Sequence, residues 1–377
     1  MRKLLLFGTV IFCCLIGFNK PVIAQPEVDL YLDSVNVYVS TYGRISIWSL
    51  PPTAQRQLYR ASLLVGTGPD AVFDLIWDLG FEDSTQLLAN PTYGDYEIYG
   101  SYNNDFSGAP PNVLEKENIY CWQNLNSFIV KYTVINREAT SIDAIVGLEF
   151  LPRIENNRSG GDTVTYSTQS NIISAKNIKA VGFKPLSENL KSLAAFYYYT
   201  GYEADTLFYN RLTYNSFDTL FFTVPNAPNV DAPALIPALN SKTIAPGDSV
   251  VFYIALAYGV NESAMLASME QAQQKYNQIV SVESDLNNIP SDFTLDQNYP
   301  NPFNPSTKIS FGLPQRSIAV LKVFNALGQE VAELVNESLE AGTHSFNFDA
   351  SKLTSGIYIY SLKTDAGVIS KKMTLIK

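Results

Sequence analysis

The chain has 377 residues, 46% of them hydrophobic and only 16% charged, with 44 Tyr and Phe together and a net charge of −10. That length carries two domains with ample core, and the aromatic, lightly charged balance suits a β-rich exported protein rather than a helical cytosolic one. Charge is uneven: residues 25–292 hold 15 Lys and Arg against 29 Asp and Glu, and residues 293–377 hold 8 against 7, so the acidic larger part argues against nucleic acid and anionic membrane surfaces as partners.

At the start, Arg2 and Lys3 precede the apolar run LLLFGTVIFCCLIGF, and Val22 and Ala24 stand at the −3 and −1 positions of a cleavage site. Residues 1–24 read as a secretory signal peptide, cut between Ala24 and Gln25. The apolar run is short for a membrane span of ~20 residues, so no integral span is expected after its removal. Neither Cys13 nor Cys14 follows the Leu-small-small pattern of lipoprotein processing, and both leave with the signal.

The body, residues 25–282, is rich in strand patterns. VDLYLDSVNVYVSTYGRISIWSL alternates as strands on either side of Tyr42 and Gly43, where glycine permits a bend. FIVKYTVINREATSIDAIVGLEFLP reads as a hairpin, two apolar runs joined through Asn136, Arg137 and Glu138. IAPGDSVVFYIALAYG puts Pro246 and Gly247 in a type II turn before a strand apolar on both faces, Val250 to Tyr258, expected at the centre of a sheet. The stretch ESAMLASMEQAQQKYNQIV sets Met265, Met269, Ala272, Tyr276 and Ile279 at helical spacing behind the N-cap candidate Asn261. This helix is expected on the sheet edge, closing a β-sandwich. The polar SVESDLNNIPSD then makes residues 283–292 the linker to a last domain, residues 293–377.

Little chemistry is on offer in the body. After the signal a single cysteine remains, Cys121, and the only histidine of the chain is His344, in the last domain. No intrachain disulfide is available there. Ser-His-Asp and Cys-His catalysis and His-ligated metal sites are excluded from the body, and Cys121 reads as a buried, inert thiol. Carboxylate chemistry survives: Asp74, Asp78, Glu82 and Asp83 in DAVFDLIWDLGFEDST are the candidates for a glycosidase-like pair. Asn103, Asn104 and Asp105 lack calcium-loop spacing. Tyr93, Tyr96, Tyr99 and Tyr102 fall three apart in PTYGDYEIYGSYNNDFSG, which fits neither strand nor helix and reads as an exposed loop; such rings cap a sandwich edge or stack on sugars. The aromatic run AAFYYYTGYEADTLFYNRLTYNSFDTLFF reads as strands of a two-layer fold. No catalytic residue, cofactor site or metal site is assigned.

In the last quarter, FTLDQNYPNPFNPSTKISF is broken by Pro300, Pro302 and Pro305, each of which fixes φ and lacks an N–H. With Asn298, Asn301, Phe303 and Asn304 it is expected to be a compact turn, or a linker that enters one, because Asn side chains mimic backbone turns. Alternation then resumes through Ile309, Phe311 and Leu313, through Ala319, Leu321 and Val323, and through Phe346, Phe348, Tyr358 and Tyr360, with Gly328, Gly342 and Gly356 between strands. Seven or so short strands in ~85 residues point to a small Ig-like sandwich, so the whole chain is expected to be mainly β, a larger sandwich with one amphipathic helix followed by a smaller one.

FTLDQNYPNPFNPSTKISFGLP, LKVFNALGQEVAELV, EAGTHSFNFDASKLTSGIYIYSL and the terminal KKMTLIK, with Lys371 and Lys372, together resemble the type A C-terminal sorting domain of the type IX (Por) secretion system of Bacteroidetes and related bacteria. Phe348 stands where Trp is usual and Ala350 where Gly is common. The resemblance implies an address read by the translocon and sorting machinery at the outer membrane, and cargo released or attached to surface lipopolysaccharide. ENIYCWQNLNSFIVKYTVINREATSIDAIVGLEF and IAPGDSVVFYIALAYGVNESAMLASMEQAQQKY resemble segments of exported cargo of that system, β-sandwich regions of unassigned activity. The expectation is a secreted or surface exoprotein with a structural or binding body; the alternative is a carbohydrate-active enzyme carried by the same domain.

Overall fold

A computed structural model describes residues 27–51, 54–78, 80–156, 161–199, 202–223, 232–287 and 290–377. The signal segment, with Ala24 and Gln25, lies outside them. The alternating first segment forms a meander, β1 (Val28–Tyr31), β2 (Val35–Val39), β3 (Ile45–Ser49) and β4 (Arg56–Gly68). Val28, Leu30, Val35, Val37, Val39, Ile45 and Ile47 enter one core cluster, so by the two-residue period the residues between them face outward. β5 (Ala71–Asp74) folds back on β4. A second meander follows, β6 (Gly80–Leu87), β7 (Tyr96–Asn103), β8 (Val113–Cys121) and β9 (Ser127–Asn136).

Next come β10 (Ile142–Pro152), β11 (Thr163–Ser167), β12 (Ile172–Lys176), β13 (Ala180–Pro185) and β14 (Ser192–Tyr197). The helix α1 (Asp205–Leu212) precedes β15 (Leu220–Phe222), β16 (Pro233–Ala238), β17 (Lys242–Ile244) and β18 (Ser249–Gly259), and α2 (Glu262–Asn287) ends the series. These strands build two nine-stranded sheets. One runs β1-β2-β3-β4-β10-β16-β14, with β5 on β4 and β17 on β10; the other runs β15-β11-β12-β13-β18-β9-β8-β7-β6. Inward residues of both sheets share the core cluster, as in a β-sandwich.

β18 is central, between β13 and β9, as its two-faced apolar pattern requires. Its preceding turn is closed by Asp248 N–H donating to Ala245 O at 3.0 Å, with Gly247 at φ +78°. Asn261 Oδ1 accepts from Ala264 N–H at 2.9 Å and caps α2.

Five expectations change. β9 and β10 are not a hairpin: β9 pairs with β8 and β18, β10 with β4, β16 and β17, so the short connection crosses between sheets. The buried Asn136 pins this corner, its Nδ2 donating to Thr140 O at 2.9 Å and Ile244 O at 2.8 Å. The Tyr-rich stretch is no loop beyond Tyr96; it is β7, with Tyr102 buried in the core. α2 covers the middle of its sheet, not the edge: a Cβ on Gly182 of β13 would lie 2.2 Å from Met265 Sδ, and Ser127 Oγ donates to Ser268 O at 2.8 Å. α2 also runs on to Asn287, so the first five residues read as linker are helical, and the chain divides into two units at Tyr276 and Asn277. Lastly, DTLFYNRL is the helix α1 and not a strand; Phe208 and Leu212 bury it against the outer face of β4 and β10, where Gly66 and Gly147 leave room.

The second unit holds β19 (Thr294–Leu295), β20 (Ser306–Leu313), β21 (Ser317–Asn325), β22 (Glu330–Leu339), β23 (Gly342–Asp349), β24 (Gly356–Thr364) and β25 (Gly367–Leu375). A three-stranded sheet, β19-β20-β23, faces a four-stranded one, β22-β21-β24-β25, over a core that includes Ile309, Phe311, Leu321, Phe348, Tyr360 and Met373. Gly328 sits at φ +77° in the tight turn where its N–H donates to Asn325 O at 3.0 Å, a geometry cheap only for glycine.

Candidate functional site

The four carboxylates offered for hydrolysis are each bound to groups of the protein itself. Asp74 is buried, and its Oδ1 accepts from the backbone N–H of Ile76 at 2.6 Å and Trp77 at 2.9 Å, stapling the turn after β5. Asp78 Oδ2 accepts from Asp74 N–H at 2.9 Å, and its Oδ1 accepts from Ser107 Oγ. Burial pushes the Asp74 carboxyl up to about 7 against its two amide bonds, and burial raises Asp78 against the Ser107 hydroxyl. Glu82 pairs with Arg137 at the surface, and Asp83 accepts from Ser101 Oγ at 2.8 Å and Tyr99 OH at 3.1 Å. Asn103 Nδ2 donates to Asp105 at 3.0 Å. Among the described residues no cluster of His, Cys, Asp and Glu is arranged to hold a metal. Cys121 is fully buried, and burial alone pushes its thiol up, out of nucleophile range.

The outward positions of β1–β4 carry a different constellation. Register places Tyr31 opposite Asn36, Asn36 opposite Trp48 and Trp48 opposite Arg56, while Asp29 faces Tyr38. Together these six line an open groove of about 330 Å³. Asn36 Nδ2 donates to Asp29 Oδ1 at 2.6 Å, and Tyr38 OH donates to Glu27 Oε2 at 2.6 Å. Burial first, then Glu27, pushes the Tyr38 hydroxyl up to about 12, so it keeps its proton and spends it on Glu27.

From the groove a ladder of rings and guanidinium groups crosses the sheet. Arg56 Cζ lies 4.4 Å from the Trp48 ring centroid and 4.8 Å from that of Tyr59; Arg153 Cζ lies 4.3 Å from Tyr59 and 5.8 Å from Tyr198. Each contact contributes about 0.5–2 kcal/mol and fixes a side chain that would otherwise rotate. Beside the ladder, Arg60 Nη2 donates to Glu149 Oε1 at 2.7 Å and to Tyr202 OH at 3.1 Å, while Tyr202 OH also donates to Glu149. Burial, then Glu149, holds the Tyr202 hydroxyl well above the ordinary phenol range. Arg60→Ala would leave Glu149, 0% exposed, without its cation. The expected loss is about 3–5 kcal/mol of stability by urea unfolding; a loss below ~1 kcal/mol, the range of exposed pairs, would show that the pair carries little.

Between the sheets lies a second buried group. Glu115 and Glu117 sit two apart on β8, both fully inside, with Tyr102 of β7 and Tyr132 of β9 among their neighbours. Neither Glu115 carboxylate oxygen has a hydrogen-bond partner among the described residues. Burial pushes Glu117 up to about 8 and raises Glu115 well above the carboxylate range, with Glu117 beside it adding to the effect.

In the second unit the Pro-Asn stretch is an ordered turn stitched to the last strand. Asn298 is buried; its Nδ2 donates to Pro300 O at 3.0 Å and Thr307 Oγ1 at 2.9 Å, and its N–H donates to Tyr360 OH at 2.9 Å. Phe303 enters the core, its N–H donating to Thr374 O and its C=O accepting from Ile376 N–H, both at 3.0 Å. Thr374 N–H donates to Asn301 Oδ1 at 2.9 Å, and Gln297 Nε2 donates to Lys372 O at 2.9 Å. Pro300, Pro302, Asn304 and Pro305 are exposed, as is Lys372; Lys371 is half-buried, and Gly342 and Gly356 open β23 and β24.

The groove residues escaped sequence reading because they lie on four strands. Their signal was the outward half of the alternation, which carries Asp29, Tyr31, Asn36, Tyr38 and Trp48 in place of the Lys, Glu and Thr of an ordinary solvated face.

No curated protein matches the chain. Among solved structures it is similar to a bacterial glucoamylase complexed with acarbose, at 13% identity and a TM-score of 0.46 over 71% of this chain and 40% of that one. It is also similar to a polysaccharide lyase, at 7% identity and 0.35 over 93% and 46%, and to a putative aldose 1-epimerase from Escherichia coli K12, at 11% and 0.36 over 62% and 98%. The chain thus spans less than half the length of the first two, and likeness at this level says nothing about chemistry. No helix among the described residues is long and apolar enough to cross a membrane. Residues 297–377 match the family described as the secretion system C-terminal sorting domain. This last segment is a type IX sorting domain, and it addresses the chain across the outer membrane to the cell surface or the extracellular space.

Proposed function

We propose that this chain is an exported binding protein, in which the sorting domain delivers a sandwich body that recognises its ligand without transforming it. One contrast carries the reading. Asp74, Asp78, Glu82 and Asp83 are each committed to a turn, a hydroxyl or an ion pair, while rings and planar polar groups converge on the open groove of β1–β4. A hydrolase of two carboxylates needs both aimed at one scissile bond; a binding site needs shape, flat apolar surface and a few fixed polar groups. Glycans of the cell surface or its surroundings fit that second description.

The purified chain, incubated with insoluble and soluble polysaccharides, is expected to be retained on at least one of them while releasing no reducing ends or unsaturated products. Turnover that disappears in a folded Asp78→Asn variant would reverse the reading in favour of a carbohydrate-active enzyme.

A further inference from the structure

We infer that the groove of β1–β4 is a subsite for a neutral sugar, sized for one or two pyranose rings. The inference rests on the binding reading above and adds the ligand's chemistry and its seat. A pyranose presents an apolar C–H face and a rim of adjacent hydroxyls. The first is matched by flat aromatic surface, the second by planar groups that offer paired donors or acceptors. Both are present: the exposed ring of Tyr31 with those of Tyr38 and Trp48, the last with Arg56 over one face, and the planar groups of Asp29, Asn36 and Arg56.

Geometry narrows the ligand further. A volume of about 330 Å³ is at the low end of the ~300–1,000 Å³ typical of ligand pockets, which suits a chain end or branch rather than a long stretch of polymer. The polar groups are held before the ligand arrives: Asp29 by Asn36 at 2.6 Å, Tyr38 by Glu27 at 2.6 Å, and the Arg56 guanidinium between the Trp48 and Tyr59 rings. Such preorganisation cuts the entropy cost of binding. One carboxylate and one guanidinium line the groove and cancel. A uronate or phosphate drawn to Arg56 would also face Asp29, with Glu27 behind Tyr38, so the charge balance selects an uncharged ring.

The test uses the full chain, with affinity electrophoresis and calorimetry against xylan, galactomannan and a mixed-linkage glucan as neutral probes and polygalacturonate as the acidic one. At least one neutral probe is expected to bind. Trp48→Ala and Asp29→Asn should each weaken that binding tenfold or more, and Trp48→Phe should keep most of it, with thermal melts confirming that the variants fold. If Trp48→Ala unfolds the chain, Asp29→Asn and Trp48→Phe carry the comparison. Full affinity in both Asp29→Asn and Trp48→Ala overturns the groove and leaves the binding reading standing. Retention by polygalacturonate alone overturns the neutral-sugar assignment, and retention by no probe overturns both.

Discussion

Expressed without residues 293–377 in a host that has the type IX machinery, the body is expected to fold and to remain in the periplasm. Each unit has a hydrophobic core cluster of its own and closes its own sheets, as a domain that folds by itself does. The first 24 residues, kept in place, are expected to take the truncated chain across the inner membrane; nothing is then left to take it across the outer one. Conversely, residues 288–377 fused to an unrelated exported reporter should carry that reporter to the surface or the medium. Fractionation followed by immunoblotting reads both arms, and circular dichroism of the truncated protein reads the fold. Surface delivery of the truncated chain at the intact level would mean that the address lies elsewhere.

A second large effect is expected from the carboxyl pair inside the body. Its stability should fall as pH rises from about 4.5 to about 8, opposite to ordinary acid denaturation. Glu117 has a folded-state pKa of about 8 against an ordinary 4.5. Between those values the unfolded chain gives up a proton that the folded chain keeps, so unfolding releases protons and rising pH favours it. Stability is fully present below the ordinary value and is lost as pH climbs towards the raised one. Asp74, up to about 7, and Asp162, up to about 6, act in the same direction. For Glu117 alone the loss by pH 8 is on the order of 4 kcal/mol. Glu117→Gln keeps the shape without the proton, and should raise the urea midpoint at pH 8 while changing it little at pH 5. A midpoint that is flat or higher at pH 8, or a Gln variant weakened there, would show that the pair is ionised in the fold.

What could be read from sequence follows from how far each signal reaches along the chain. The period-two pattern of Val35, Val37 and Val39, the turn at Gly247 and the Asn261 cap are local, and each describes a few neighbouring residues that the fold leaves as they are. Sheet membership is not local. The runs on either side of Asn136 look like a hairpin because the loop is short, yet Asn136 spends its amide on Thr140 and Ile244 and turns the chain into the other sheet. α1 hid in an aromatic run because the residues it sets against the sheet, Tyr209 and Leu212, meet glycines distant in sequence, Gly66 and Gly147. The regular spacing of Tyr93, Tyr96, Tyr99 and Tyr102 misled for a related reason: the strand begins only at Tyr96, and β8 supplies its ladder partner. Of the groove, the composition of each strand was visible, but the register that aligns Tyr31, Asn36, Trp48 and Arg56 was not. The sorting domain was legible nearly throughout because its turns and strands follow one another closely in one short segment.

The stitching of the Pro-Asn turn to β25 sets the order of events during synthesis and export. Asn301 waits for an N–H that lies 73 residues further on, and Phe303 waits for both Thr374 and Ile376. A growing chain therefore exposes the Pro-Asn stretch before the strand that shapes it has been made. A chain cut short ahead of Met373 never acquires that shape, whatever the state of its body. A machinery that read the finished turn would thereby also read the presence of β25, 73 residues further on.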